Sequence, residues 1–328
     1  MLFDLYCDDK VLANNDVTMF SLDPKDQSTP ENPTQYKLYS DRFADQADHL
    51  EIRPGKALKL YPKAGTPTTN LDELRELLLS TDLSRNEELN WIDGKNFRFL
   101  DGKNIDGWHT GFTSFPRSGN SMLRRHLEML TGVISGSDID LFLCVDLQSM
   151  SLYGESHVGS EDNLTWITKG HYPIWIFGTE PKFVCNKQIC LVRNPIDNFV
   201  SYSLLASTIT HSLQTKTPQY QEYPEDWDQV VKWLTEMYEN YIKMEREQIQ
   251  DKCPTLYLRY EDLCQRPQEN LTMIFKFLLN VESLEGTVIE HRISELAAKG
   301  ASKAGSVYTL KKQDYSKLLR QAHAYTPE

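Results

Sequence analysis

The chain has 328 residues, 40% of them hydrophobic and 25% charged, with a formal net charge of −12. That composition supports a buried core in one large α/β domain with additions, or in two smaller ones. The acidic balance argues against a broad nucleic-acid surface, which needs clustered Lys and Arg, but leaves room for a local basic pocket that holds a small anion.

The first residues, MLFDLYCDDKVLANND, are acidic where a secretory leader needs positive charge. No apolar run approaches the length of a membrane span. We therefore expect a soluble, intracellular, cytoplasmic protein with no membrane span and no nucleic-acid partner. The six cysteines, Cys7, Cys144, Cys185, Cys190, Cys253 and Cys264, are scattered and form no C-x-x-C pair. This excludes a disulfide framework or a zinc site and predicts buried, reduced thiols.

Residues 1–104 read as an α+β extension of unknown role. Turn-rich spacers such as DPKDQSTPENPTQ separate short strand-like pieces, HLEIRP and ALKLYP. LDELRELLLS places Leu71, Leu74, Leu77 and Leu78 on one helical face, and NFRFLDGKN reads as a strand and turn.

Residues 105–328 alternate strands and helices. HTGFTSFP is a strand, followed by a helix in SMLRRHLEML with Leu123, Leu127 and Leu130 at helical spacing. LTWITKGHYP and KQICLVRNP each read as a strand running into a loop. A long amphipathic helix follows in PEDWDQVVKWLTEMYENYIKMEREQ, its inner stripe marked by Trp227, Val230, Val231, Leu234, Met237, Tyr238 and Tyr241. PTLYLRYEDL is a further strand, and PQENLTMIFKFLLN a helix with Leu271, Ile274, Phe275 and Leu278 inward. Alternation of this kind predicts an α/β, three-layer fold with a mainly parallel sheet covered on both faces and ligands beyond the carboxyl ends of the strands.

The chemistry concentrates in SFPRSGNSM. Ser118 and Gly119 let backbone N–H groups crowd toward an anion, and the start of the following helix adds its dipole. Arg117 adds a full charge, and Ser118, Asn120 and Ser121 are side-chain donors. The stretch is a phosphate cradle in physical terms. It lacks the G-x-x-x-x-G-K-[ST] pattern, so Mg²⁺-dependent nucleoside-triphosphate chemistry is not its reading.

The ordered set SFPRSGNSMLRRHLE, TWITKGHYP, ICLVRNPIDNFVSYSLL and LYLRYEDL resembles the sulfotransferase family over about two-thirds of the chain. The resemblance implies a P-loop-type three-layer fold in which Arg117, Ser118, Gly119, Asn120 and Ser121 hold the 5′-phosphosulfate of 3′-phosphoadenosine-5′-phosphosulfate, PAPS. It assigns Arg193 and Ser201 to the 3′-phosphate and Tyr260 to the neighbourhood of the adenine. Lys169 and His171 match the family's Lys and His, with His171 as general base toward a hydroxyl-bearing acceptor. Imidazole suits that task near neutral pH. Arg117 and Lys169 would stabilise charge on the leaving phosphate, and no metal is called for. Lys299 with Gly300, or else Lys303 with Gly305, in AAKGASKAGSVYTLKK, stand nearest the family's last nucleotide-binding motif, whose closing Asp-Trp is absent. Met122 stands where many relatives carry an aromatic residue, and Gly170 where they carry Thr. The alternative function is a sulfotransferase-fold structural or binding subunit, catalytically weak or inactive.

Overall fold

The computed structural model describes residues 50–52, 60–62, 68–89, 98–137, 163–171, 185–208, 219–222, 224–249 and 253–299. Strands β1 (Leu50–Ile52) and β2 (Leu60–Pro62) pair antiparallel, while β3 (Thr68–Thr69) and β4 (Phe99–Leu100) pair in parallel. Between the latter two lies helix α1 (Leu71–Leu79). Its start is set locally: the side chain of Asn70 accepts from the amide of Asp72 at 2.9 Å, and Asp72 and Glu73 sit in the first turn.

The main sheet is built from β5 (Thr110–Ser114), β6 (Gly136–Ser137), β7 (Ile167–His171), β8 (Lys187–Val192) and β9 (Thr255–Arg259). Among the described residues it runs β6-β7-β5-β8-β9, with every pairing parallel. Helices α2 (Asn120–Thr131), α3 (Pro195–Thr208), α4 (Gln219–Glu222), α5 (Pro224–Met244), α6 (Tyr260–Gln265), α7 (Pro267–Leu279) and α8 (Val288–Lys299) complete the layers.

Register decides which side chains meet which layer. Phe112 lies opposite Ile189, and Leu191 opposite Leu258. These four share one apolar cluster with Leu123 and Leu127 of α2, Ile274 and Phe275 of α7 and Ile293 of α8. Leu71, Leu74, Leu77 and Leu78 of α1 belong to the same cluster. The other face presents Cys190 to Phe199 and Tyr202 of α3 and to Leu234 and Tyr241 of α5, with Phe115 beside them. That face also carries a buried polar link: the Gln188 amide donates to Thr113 Oγ1 at 2.6 Å and to Glu245 Oε2 at 2.7 Å.

Three buried cations tie the layers. Arg292 of α8 is fully buried and donates to Asn86 Oδ1, to the Asn86 carbonyl and to the Leu130 carbonyl, each at 2.9 Å. Arg124 of α2 reaches Ser135 Oγ at 2.8 Å, and Glu128 accepts from the amide of that same Ser135 at 2.9 Å. Lys187 caps the end of α7 through the carbonyls of Phe277 and Leu278 and Oδ1 of Asn280, at 3.1, 3.2 and 2.6 Å. Burial, with Arg75 nearby, pushes its ammonium down to about 8.

The expectation of buried thiols is corrected in part. Cys190 is buried, but Cys185, Cys253 and Cys264 are half-exposed. The first two stand just ahead of strands, where the chain meets the surface. No helix among the described residues is long and apolar enough to cross a membrane.

Candidate active site

Strand β5 is central, so the loop that leaves it at residues 115–119 is flanked on both sides by strand ends. Ser114 lies opposite His171, the last residue of β7, and opposite Leu191 of β8. The carboxyl ends of β7, β5, β8 and β9 thus open side by side, and each carries one of the four motifs.

The loop is held in an uncommon shape. Arg117 has φ 66° and Gly119 φ 95°, both left-handed. Left-handed residues alternating along a turn aim backbone N–H groups inward as an anion cradle. For a non-glycine such as Arg117 the conformation costs on the order of 1 kcal/mol, so surrounding bonds must impose it. They are visible. Asn198 of α3, fully buried, donates to the Pro116 carbonyl at 3.0 Å and to Ser118 Oγ at 3.1 Å. Arg193 Nη1 donates to the Arg117 carbonyl at 2.7 Å. The Asn120 amide donates to Ser114 Oγ at 3.1 Å. Gly119 supplies no side chain to the start of α2, so the first amides of that helix face the loop without a side-chain cap.

Arg193 follows the end of β8 and occupies the centre of the arrangement. Its guanidinium lies 4.6 Å from the ring centre of Tyr260, the first residue of α6. Its own carbonyl accepts from the Tyr238 hydroxyl of α5 at 2.8 Å. Burial, the largest cause, pushes that phenol above its ordinary range. The next residue, Asn194, donates its amide to Glu261 Oε1 at 2.9 Å. Arg117 Nε donates to Ser201 Oγ of α3 at 3.1 Å.

Arg117, Ser118, Gly119, Asn120, Arg193, Ser201 and Tyr260 are therefore brought together, and Ser121 stands in the first turn of α2. Ser118 and Asn120 have their side chains buried, Ser118 bonded to Asn198 of α3 and Asn120 to Ser114 of β5, which shapes the loop. Lys169 lies on β7 in register with Phe112 and is 1% exposed. His171 closes β7, and its side chain lies outside the described residues, as does that of Lys299 at the end of α8. Gly300 lies outside them altogether.

Asn198, Tyr238 and Glu261 are positioning residues that sequence reasoning passed over. A signal existed for Asn198, which lies three residues before Ser201 on one helix and so on the same face. Tyr238 reads from sequence only as part of an apolar stripe.

A parallel sheet flanked by helices, with a left-handed loop and two guanidiniums at its carboxyl edge, defines an α/β protein whose cationic groups converge on one loop. The family follows from comparison. A family model described as "Sulfotransferase domain" matches residues 111–323, and the chain belongs to that family. The crystal structure of mouse sulfotransferase SULT7A1 complexed with PAP is similar at 15% identity, covering 85% of this chain and 89% of that one, with a TM-score of 0.37. No curated protein matches the chain.

Proposed function

We propose that the protein transfers a sulfuryl group from PAPS to the hydroxyl of a small alcohol, phenol or metabolite, with residues 105–328 as the catalytic domain and 1–104 as an extension of it. The observation that carries this reading is the 2.7 Å bond from Arg193 Nη1 to the Arg117 carbonyl. It joins the cradle after β5 to the segment after β8, so that cationic groups for two phosphates lie within one site.

The residues fit such a ligand. Arg193 Nε is buried and has no hydrogen-bond partner among the described residues, a donor that a phosphate oxygen satisfies. Arg117 and the amides of residues 119–121 hold the 5′-phosphosulfate, while Ser118, whose amide donates to the Phe115 carbonyl at 3.2 Å, shapes the turn beneath it. Arg193 and Ser201 hold the 3′-phosphate, Tyr260 lies beside the base, and Lys299 with Gly300 completes the nucleotide contacts. PAPS supplies an activated sulfuryl group on a phosphate leaving group. His171 takes the acceptor hydroxyl proton on its imidazole nitrogen. Arg117 and Lys169 place positive charge where the leaving oxygen becomes anionic.

The test is transfer from labelled PAPS to a panel of hydroxyl acceptors, comparing wild type with His171→Ala, alongside thermal unfolding with PAP, the desulfated nucleotide. The expected result is a loss of about 10²–10⁴ in turnover for the variant, with the PAP-induced rise in Tm retained. Equal transfer by both proteins removes His171 as the base. No rise in Tm at millimolar PAP favours a sulfotransferase-fold binding subunit instead.

A further inference from the structure

Away from the candidate active site, at the opposite ends of the same strands, the sulfur atoms of Cys185 and Cys253 lie 3.8 Å apart. The sheet itself puts them there. Cys185 precedes β8 and Cys253 precedes β9, and these strands are parallel neighbours with Gln188 opposite Thr255. The amide of Gln188 donates to the carbonyl of Pro254 at 2.9 Å, and the amide of Asn186 to the carbonyl of His109 at 2.8 Å. Each thiol is therefore followed immediately by a residue pinned to a neighbouring strand or loop. Neighbouring strands run about 4.8 Å apart, inside the Cα separation of roughly 4.4–6.8 Å that a disulfide bridges. Both residues are half-buried, between the closed core and the open surface. Cys190, by contrast, is buried, its sulfur 3.1 Å from the Tyr241 hydroxyl.

We propose that Cys185 and Cys253 form a two-electron redox site, a dithiol that low-molecular-weight disulfides oxidise to an intramolecular disulfide and that trivalent arsenicals bridge. In the first step one cysteine, as its thiolate, attacks a sulfur of a glutathione-type disulfide. The small S–S bond breaks, a mixed disulfide forms on the protein, and one small thiolate leaves and takes up a proton. In the second step the other cysteine loses its proton and attacks the protein-side sulfur, expelling the second small thiol. The protein gives up two electrons and two protons, and the oxidant receives them as two thiols. Burial and the adjacent sulfur push the Cys185 thiol up; either cysteine can make the first attack, the other closing the bridge.

The bridge would tie β8 to β9 at their entry ends. Arg193 and Tyr260 stand at the exit ends of those two strands. The cysteines are 68 residues apart in sequence, so the bond also shortens a long loop of the unfolded chain and favours the folded state.

The test uses the full chain incubated with oxidised glutathione, then acid-quenched, alkylated and mapped by mass spectrometry. The expected result is a peptide pair joining Cys185 to Cys253, an intact mass lower by two hydrogens, and a raised Tm that dithiothreitol reverses. Phenylarsine oxide is expected to bind once, both sulfurs bonding to arsenic while its oxygen leaves as water with the two thiol protons, and to shield both residues from alkylation. Cys185→Ser and Cys253→Ser are each expected to retain a single glutathione on the remaining thiol, without the gain in Tm. Stable glutathione on both cysteines of the wild type, a different pairing, a disulfide between two molecules or no reaction would each overturn the proposal. The wild-type mapping decides it even where a serine variant fails to fold.

Discussion

The ring of Tyr260 stands where a side chain on Gly119 would begin: a β-carbon built there lies 2.5 Å from Cδ2 and 2.7 Å from Cε2 of the tyrosine. Gly119 is thus required twice, by its φ of 95° and by this close approach. Gly119→Ala is expected to lower stability by about 2 kcal/mol and to weaken PAP binding, read by thermal unfolding and by titration. Adding Tyr260→Ala removes the clash but not the backbone strain, so the double variant recovers only part of the lost stability. Full recovery would show that the dihedral costs nothing.

Arg193 is expected to recognise one end of the nucleotide. Arg193→Ala should raise the Kd for PAP by about 10–100-fold, the scale of a lost charge-assisted bond. The Kd for adenosine 5′-phosphate, which has no 3′-phosphate, should rise by less, by the part of the loss that comes from releasing the Arg117 carbonyl. Calorimetry on both ligands separates the cases, and equal losses would detach Arg193 from the 3′ end.

Asn198 uses both amide hydrogens on the loop. Asn198→Asp keeps the shape and removes both donors. We expect a loss of about 1–3 kcal/mol in stability and roughly 10-fold weaker PAP binding. Acceptor KM at saturating PAPS should be unchanged, because both hydrogen bonds that its side chain donates among the described residues go to the cradle. An altered acceptor KM with normal PAP affinity would contradict that role.

Arg292→Leu leaves three oxygens, two of Asn86 and one of Leu130, without the donor they now share. Buried acceptors stripped in this way cost about 3 kcal/mol or more. Denaturant unfolding is the measurement, with a lower midpoint expected. Arg292→Lys keeps the charge but not the fork, and should fall in between.

His126 of α2 is buried, with Nδ1 unpaired among the described residues, and burial, aided by Arg125, holds its imidazole down to about 4 against an ordinary 6.5. The unfolded chain therefore binds this proton first as pH falls. The stability of the neutral form is complete above pH 6.5 and is lost progressively toward pH 4, by on the order of 3 kcal/mol. Glu128, raised by its own burial, acts in the opposite sense in an overlapping window. The readout is thus the difference between wild type and His126→Leu. The variant should lose less stability between pH 6.5 and 4, and parallel curves would exclude the histidine.

The one-dimensional pattern reaches a definite distance into this molecule. Leucine spacing marks α1, α2 and α7, because helical contact is local, and it foresaw Leu71, Leu74, Leu77 and Leu78 on one face. The partner of that face was not legible: α1 meets α8 across more than two hundred residues. Strand order was hidden for the same reason, since β7 and β8 follow each other in the chain yet lie on opposite sides of β5. Arg117, Arg193, Ser201 and Tyr260 were found as motif positions, but their mutual contacts were not. Tyr238 escaped because an aromatic in an apolar stripe looks like packing until its hydroxyl is seen at the Arg193 carbonyl. Average burial of thiols likewise misjudged Cys185 and Cys253, whose exposure is set by where strands begin.

Helix α2 opens on a glycine that offers it no side-chain partner. Its leading peptide groups then depend on whatever negative charge lodges before them. Deuterium uptake at residues 120–122 becomes an occupancy gauge, slowing residue by residue as the cradle fills while the remainder of the helix, anchored by its leucines, keeps a constant rate.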